Sequence, residues 1–202
     1  SWMRLAAAIA GVLVLVLAII FAFNLGRGSI LPEEEDQTGS PSPSASEGQQ
    51  APQPVDVVAV SDLDPPPEGN GEENPATVGN VIDGSTETTW RTLTYDRSAQ
   101  FGNLKSGLGL VLDLGEPTEV NRVDLALVGS PTSLELYAAG DQAPTSIDGL
   151  EQVGASDGTG EQVRVSLDEP ARTRYLVVWL TSVPPVGGAQ FRGEVAEIVV
   201  RS

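Results

Sequence analysis

From residue 108 onward the chain alternates apolar and polar side chains with a period of two. Leu110, Leu112 and Leu114 interleave with Val111 and Asp113; Leu134 and Leu136 with Ser133 and Glu135; Val163, Val165 and Leu167 with Arg164, Ser166 and Asp168. A two-residue period places one set of side chains on a core and the other in solvent, so these are half-buried strands. Residues 175–180, YLVVWL, are apolar on both parities, as expected of a central strand covered on each face. Turn residues punctuate the strands at Gly115-Glu116-Pro117, Gly129-Ser130-Pro131, Asp157-Gly158 and Pro184-Pro185. No segment beyond residue 55 carries a helical stripe. The pattern predicts an all-β fold, a β-sandwich or jelly roll, over residues 55–202.

The N-terminal part obeys different rules. Residues 5–23, LAAAIAGVLVLVLAIIFAF, hold neither charge nor proline. As a helix they reach about 28 Å, close to the roughly 30 Å hydrocarbon thickness of a bilayer. The apolar core of a cleaved signal peptide is shorter and precedes a small-residue cleavage site, whereas this run ends in Phe21, Phe23, Asn24 and Leu25. Residues 1–25 are therefore expected to form one uncleaved transmembrane helix, with Trp2 at the interface. Residues 26–54 are rich in Pro, Ser, Gln and Glu and have almost nothing to bury, so a disordered tether is expected. Arg4 and Arg27 flank the span equally; the tether and β domain beyond it favour a single-pass protein of the plasma membrane with its C-terminal domain extracytoplasmic.

Composition narrows the chemistry. With 11 Lys plus Arg against 28 Asp plus Glu, the chain carries a net charge of −17 and would repel nucleic acid. It contains no His and no Cys, which removes imidazole bases, thiol nucleophiles, zinc sites and disulfides. Glu72, Glu73 and Glu87 are loop acids, but no pattern sets two of them at the separation glycoside hydrolysis needs. A non-catalytic binding module is expected.

Three sequence blocks carry a family resemblance. Residues 80–92 read NVIDGSTETTWRT, residues 109–123 GLVLDLGEPTEVNRV, and the C-terminal end RYLVVWLT followed by GEVAEIVV. In this order they resemble the discoidin, or coagulation factor V/VIII type C, domain. The resemblance implies a galactose-binding-like jelly roll whose loops at one end bind ligands, commonly glycans. With the apolar span and acidic tether, residues 94–114 (TYDRSAQFGNLKSGLGLVLDL) are also similar to the C-terminal extracytoplasmic part of actinobacterial MviN/MurJ-type membrane proteins. That similarity implies a cell-envelope glycan or peptidoglycan precursor as partner. The alternative is a protein–protein interaction or structural domain of a cell-wall assembly complex.

The resemblance also implies sites. Asp83, Thr88 and Glu197 match positions that surround a structural Ca²⁺ in many discoidin-like domains, and hard oxygen ligands suit that ion. Ser85 departs from the family's frequent Asp, and Asp83 can equally close an Asp-Gly turn. Trp90 either packs inward or stacks on a sugar; Trp179 is expected in the core. The segment 91–105 supplies Arg91, Tyr95, Phe101 and Lys105, and the loop before the last strand supplies Phe191 and Arg192. Arg91, Tyr95, Phe101 and Arg192 are expected to line one ligand-binding surface, aromatic faces beside guanidinium donors, with ordinary loop packing as the alternative.

Overall fold

Two long strands organise the domain. The structure is a computed structural model and describes residues 52–202. The expected span and all but the end of the expected tether lie outside the described residues. Among the described residues no helix is long and apolar enough to cross a membrane.

In chain order the strands are β1 (Pro54–Val55), β2 (Ala59–Leu63), β3 (Trp90–Arg91), β4 (Tyr95–Asp96), β5 (Leu108–Leu127), β6 (Thr132–Ala138), β7 (Glu151–Thr159), β8 (Gln162–Ser182), β9 (Pro185–Gly187), β10 (Gln190–Phe191) and β11 (Glu194–Arg201). β5 and β8 pair antiparallel from Leu108↔Leu180 to Ala126↔Gln162, with register shifts between Asp113 and Thr118 and between Val120 and Arg122. The first half of β5 carries β2 on its free edge, and the second half carries β11. β8 continues to β6 and then β7. Shifts of this kind bend a strand pair and add twist. Inward side chains from both halves, Leu110, Leu112 and Leu114 with Val123, Leu125 and Leu127, join a single core cluster. The result is a β-sandwich.

The two-sided reading of residues 175–180 holds. Leu176, Val178 and Leu180 enter the main core, while Val177 and Trp179 enter a second cluster with Leu63 and Val111 on the outer face. β5 and β8 approach closely here: a Cβ at Gly109 would overlap the Val178 carbonyl, so only glycine fits. The domain also begins slightly earlier than expected. Gln53 exchanges backbone hydrogen bonds with Ser202, and Pro54 and Val55 pair with Arg201 and Val200, which takes Gln53 and Pro54 out of the tether.

Two features bear on the site. Residues 75–82 form a 3-10 segment, Pro75–Ile82, entered through Asn74 at φ 56°. A small second sheet, β4-β10-β9, sets Tyr95 opposite Phe191 and Asp96 opposite Gln190. The segment 91–105 is thereby bound to the loop that precedes the last strand.

Candidate ligand-binding site

β3 pairs with the start of β11, Arg91 opposite Glu194 and Trp90 opposite Val195. Because a strand alternates its side chains, Trp90 turns inward and is fully buried, while Arg91 turns outward. The Trp90 indole N–H donates to the Glu73 carbonyl at 2.8 Å, so its ring is packed and its polar edge satisfied. Arg91 Nε lies 2.8 Å from Glu194 Oε1, and the Thr89 hydroxyl donates to the same oxygen at 2.9 Å. Arg192 Nη2 approaches Glu194 Oε2 at 3.6 Å. Arg91 and Arg192 therefore share one carboxylate.

Beside Arg91 lies an open cleft of about 600 Å³, walled by Asn74, Pro75, Ala76, Thr77, Asn80, Glu87 and Thr89. Asn74 Nδ2 donates to the Arg91 carbonyl at 2.6 Å and Asn80 Nδ2 to the Thr89 carbonyl at 2.8 Å, which ties the 3-10 segment to β3. Amide, hydroxyl, carboxylate and guanidinium groups line it together with Pro75 and Ala76. That is the mixture of donors, acceptors and apolar wall that hydroxyl-rich ligands use.

Tyr95 and Phe101 do not join this surface, which corrects the expectation that they present aromatic faces to a ligand. Phe101 is fully buried and Tyr95 nearly so; their rings meet edge to face at 5.2 Å and 85°. The segment 91–105 folds back onto the sandwich instead of standing in solvent, because β4 is held by β10 and both rings gain burial. The Tyr95 hydroxyl donates to Glu73, with 3.0 Å to each carboxylate oxygen, and the Leu93 amide donates to Glu73 Oε1. Lys105 lies over the Tyr95 ring at 5.4 Å, pairs with Asp64 at 2.6 Å and stands 3.5 Å from Glu73 Oε2. Burial pushes the Glu73 carboxyl above its ordinary range, against the Leu93 amide, the Lys105 charge and the Tyr95 hydrogen bond. Burial, then the Glu73 charge, raises the Tyr95 phenol as well. Glu73, read from the sequence as a loop acid, is thus a fully buried strut.

The structure brings the three proposed calcium residues together. Asp83 accepts from the Thr88 hydroxyl at 2.6 Å and from the Ser85 amide at 2.9 Å; Glu197 accepts from the Gly84 amide at 3.1 Å. Burial raises the Glu197 carboxyl, and the nearby Asp83 charge adds to it. The loop carries the hard oxygens a Ca²⁺ takes, including the Ser85 carbonyl, which accepts from Thr88 at 3.2 Å. The same loop closes as an Asp-Gly turn, Gly84 standing at φ 77°. Among the described residues no three acidic side chains cluster around a common point.

Sequence reasoning missed Glu194, Asn74 and Asn80. A glutamate at a strand start and asparagines at the entry to and inside a short 3-10 segment carry no periodic signal that separates them from solvated neighbours.

No protein-family model matches the chain. Among solved structures the chain is similar to the CBM32 of AlyQ in complex with 4,5-unsaturated mannuronic acid, at 18% identity over 73% of this chain and 97% of that one, with a TM-score of 0.51. It is similar to chitosan-binding module 1 from a chitosanase/glucanase of Paenibacillus sp. IK-5, at 19% identity over 71% and 93%, with a TM-score of 0.51. A pectin-binding carbohydrate-binding module matches at 11% identity over 73% and 92%, with a TM-score of 0.50. Each is described as a binding module, and AlyQ also carries an alginate lyase domain. At these identities the likeness establishes architecture alone: residues 52–202 share the β-sandwich fold of these carbohydrate-binding modules.

Proposed function

We propose that residues 52–202 are a non-catalytic glycan-binding module whose ligand enters the cleft beside Arg91. The observation that carries this reading is Arg91, which shares Glu194 with Arg192 and lines a cleft with Asn74, Thr77, Asn80, Glu87 and Thr89. A carboxylate held between two guanidiniums pre-orients their remaining N–H groups, and pre-orientation lowers the cost of binding. Solved structures of the same fold bind an unsaturated mannuronic acid, chitotriose and pectin, which supports a carbohydrate as the ligand class. In this reading sugar hydroxyls meet amides and guanidiniums, with Pro75 and Ala76 as the apolar wall and no aromatic platform.

The finer proposals rest on the sequence. The apolar run at 5–23 anchors the module to the plasma membrane, and the similarity to MviN/MurJ-type proteins makes a cell-envelope glycan or peptidoglycan precursor the natural partner. Asp83, Thr88 and Glu197 would hold a structural Ca²⁺, stiffening the loop next to the cleft. The test is a glycan and muropeptide binding screen on the chain, repeated with Arg91→Ala. Binding to one glycan class that weakens in the variant is expected; absence of binding across the screen overturns the reading.

A further inference from the structure

A second cluster of charged side chains lies on the sheet face. On the outer face of β11, β5 and β8, the registers Val199↔Asp124↔Arg164 and Arg201↔Arg122↔Ser166 form two neighbouring rows. Three of the chain's 11 Lys and Arg residues meet here around a single carboxylate. Arg164 Nε lies 3.1 Å from Asp124 Oδ1, Arg201 Nε 2.6 Å from Oδ2, and Arg122 Nη2 3.3 Å from Oδ2. Burial alone would raise the Asp124 carboxyl, but hydrogen bonds from Arg201 and Arg164 and the Arg122 charge hold it below its ordinary value. Three guanidiniums against the Asp124 carboxylate leave a net positive spot on a strongly acidic protein, partly offset by Glu197 in the adjoining hollow.

Asp124 offsets only part of the repulsion among the three guanidiniums. Arg122 and Arg201 are directly cross-strand, where like charges repel and destabilise a sheet. Local departures from stabilising patterns concentrate where a ligand completes the site. Arg164 and Arg201 each turn Nε to Asp124, so the Nη groups at the far edge of each fork remain for a partner. Guanidinium forks match oxyanions in a planar, two-point geometry.

The hollow next to this spot, about 450 Å³, adds the rest. Ala126 and Val199 give it apolar lining beside Asp124 and Arg164, and Gln162 and Thr86 carry groups that can hydrogen-bond hydroxyls. Glu197 closes the far end with its carboxylate turned to the Gly84 amide. The hollow shares no lining residue with the cleft beside Arg91. We infer that Arg122, Arg164 and Arg201 form a second binding site on the sheet face, for a carboxylate-bearing sugar whose ring lies over Ala126 and Val199.

Isothermal titration of the full chain with trigalacturonate, its methyl ester and inorganic phosphate, each at low ionic strength, tests this. Trigalacturonate should bind. Esterification, Arg164→Gln and Arg201→Gln should each weaken it roughly ten-fold or more, the scale of one charge-assisted hydrogen bond. Substitution of the exposed Arg97, which lines neither site, should leave it unchanged, and Arg164→Gln should weaken trigalacturonate without weakening the glycan that Arg91→Ala loses, so failures at the two sites are read separately. Arg164 has a side chain 68% exposed, so Arg164→Gln should melt with the parent and carries the test even if Arg201→Gln unfolds. The proposal is overturned if trigalacturonate does not bind at millimolar concentration, if the ester binds equally, if phosphate binds and trigalacturonate does not, or if Arg91→Ala abolishes binding that Arg164→Gln retains.

Discussion

Arg91 and Arg192 close on opposite oxygens of one carboxylate, Glu194, at 2.8 Å and 3.6 Å. β3 pairs with the first residues of β11, and Arg192 lies two residues before Glu194 in the incoming loop, so the carboxylate sits between them. Thr89 completes the grip through its hydroxyl. Glu194→Ala should release both arginines and cost about 1–3 kcal/mol of stability, as for a charged hydrogen-bonded group lost from a mostly buried position. Glycan affinity should fall with it. Equilibrium urea unfolding and a binding isotherm on the same variant check both halves.

Lys105 is the cation between two buried acids. Its side chain is 8% exposed, Asp64 is 2% and Glu73 0% exposed, so replacing it with Met strands two carboxylates without their counter-charge. Breaking a buried pair from one side costs on the order of 3–5 kcal/mol. Lys105→Met is expected to lower the unfolding midpoint far more than substitution of exposed Arg97, and comparing the two denaturation curves decides it.

Phe101→Ala should behave as a core deletion. With the ring fully buried against Tyr95, the loss is about 3–5 kcal/mol, the range for removing a buried aromatic. A variant that kept the parent's melting temperature while losing glycan binding would instead place Phe101 at the ligand.

Glu73 should shape the pH profile. Its folded-state value lies above the ordinary one, so its contribution is full below the unfolded value of about 4.3 and is lost as pH rises through the raised folded value. Asp124 runs oppositely: its depressed carboxyl stabilises the fold above about 3.9 and loses that effect as pH falls through the lower folded value. A stability optimum on the mildly acidic side is expected, moving toward neutral in Glu73→Gln. Urea midpoints across the pH range measure it, and coincident profiles for the two proteins would contradict the assignment.

Calcium should act through the loop that joins Asp83, Thr88 and Glu197. If the ion binds only the folded state, millimolar Ca²⁺ raises the melting temperature by mass action. Asp83→Ala should abolish the rise, and an unshifted melt in the parent protein would leave the loop as an Asp-Gly turn alone.

The two-residue period of Leu110–Leu114 and Val163–Leu167 and the double-sided run at 175–180 determined the strands and their inward faces, because alternation is set by the backbone itself and repeats over several residues. The absence of His and Cys likewise restricted the available chemistry. The conformation of residues 64–107 was decided elsewhere. Its strands are two residues long, too short for a period to show, and the direction of each side chain depends on partners distant in sequence: β10 for Tyr95, β11 for Arg91, Asp64 for Lys105. Long-range pairing turned Tyr95 and Phe101 inward, buried Glu73, and left Arg91 facing outward beside Arg192. It also gathered Arg122, Arg164 and Arg201, unremarkable in their own strands, around Asp124, because sheet register, and not local sequence, decides which outward side chains become neighbours.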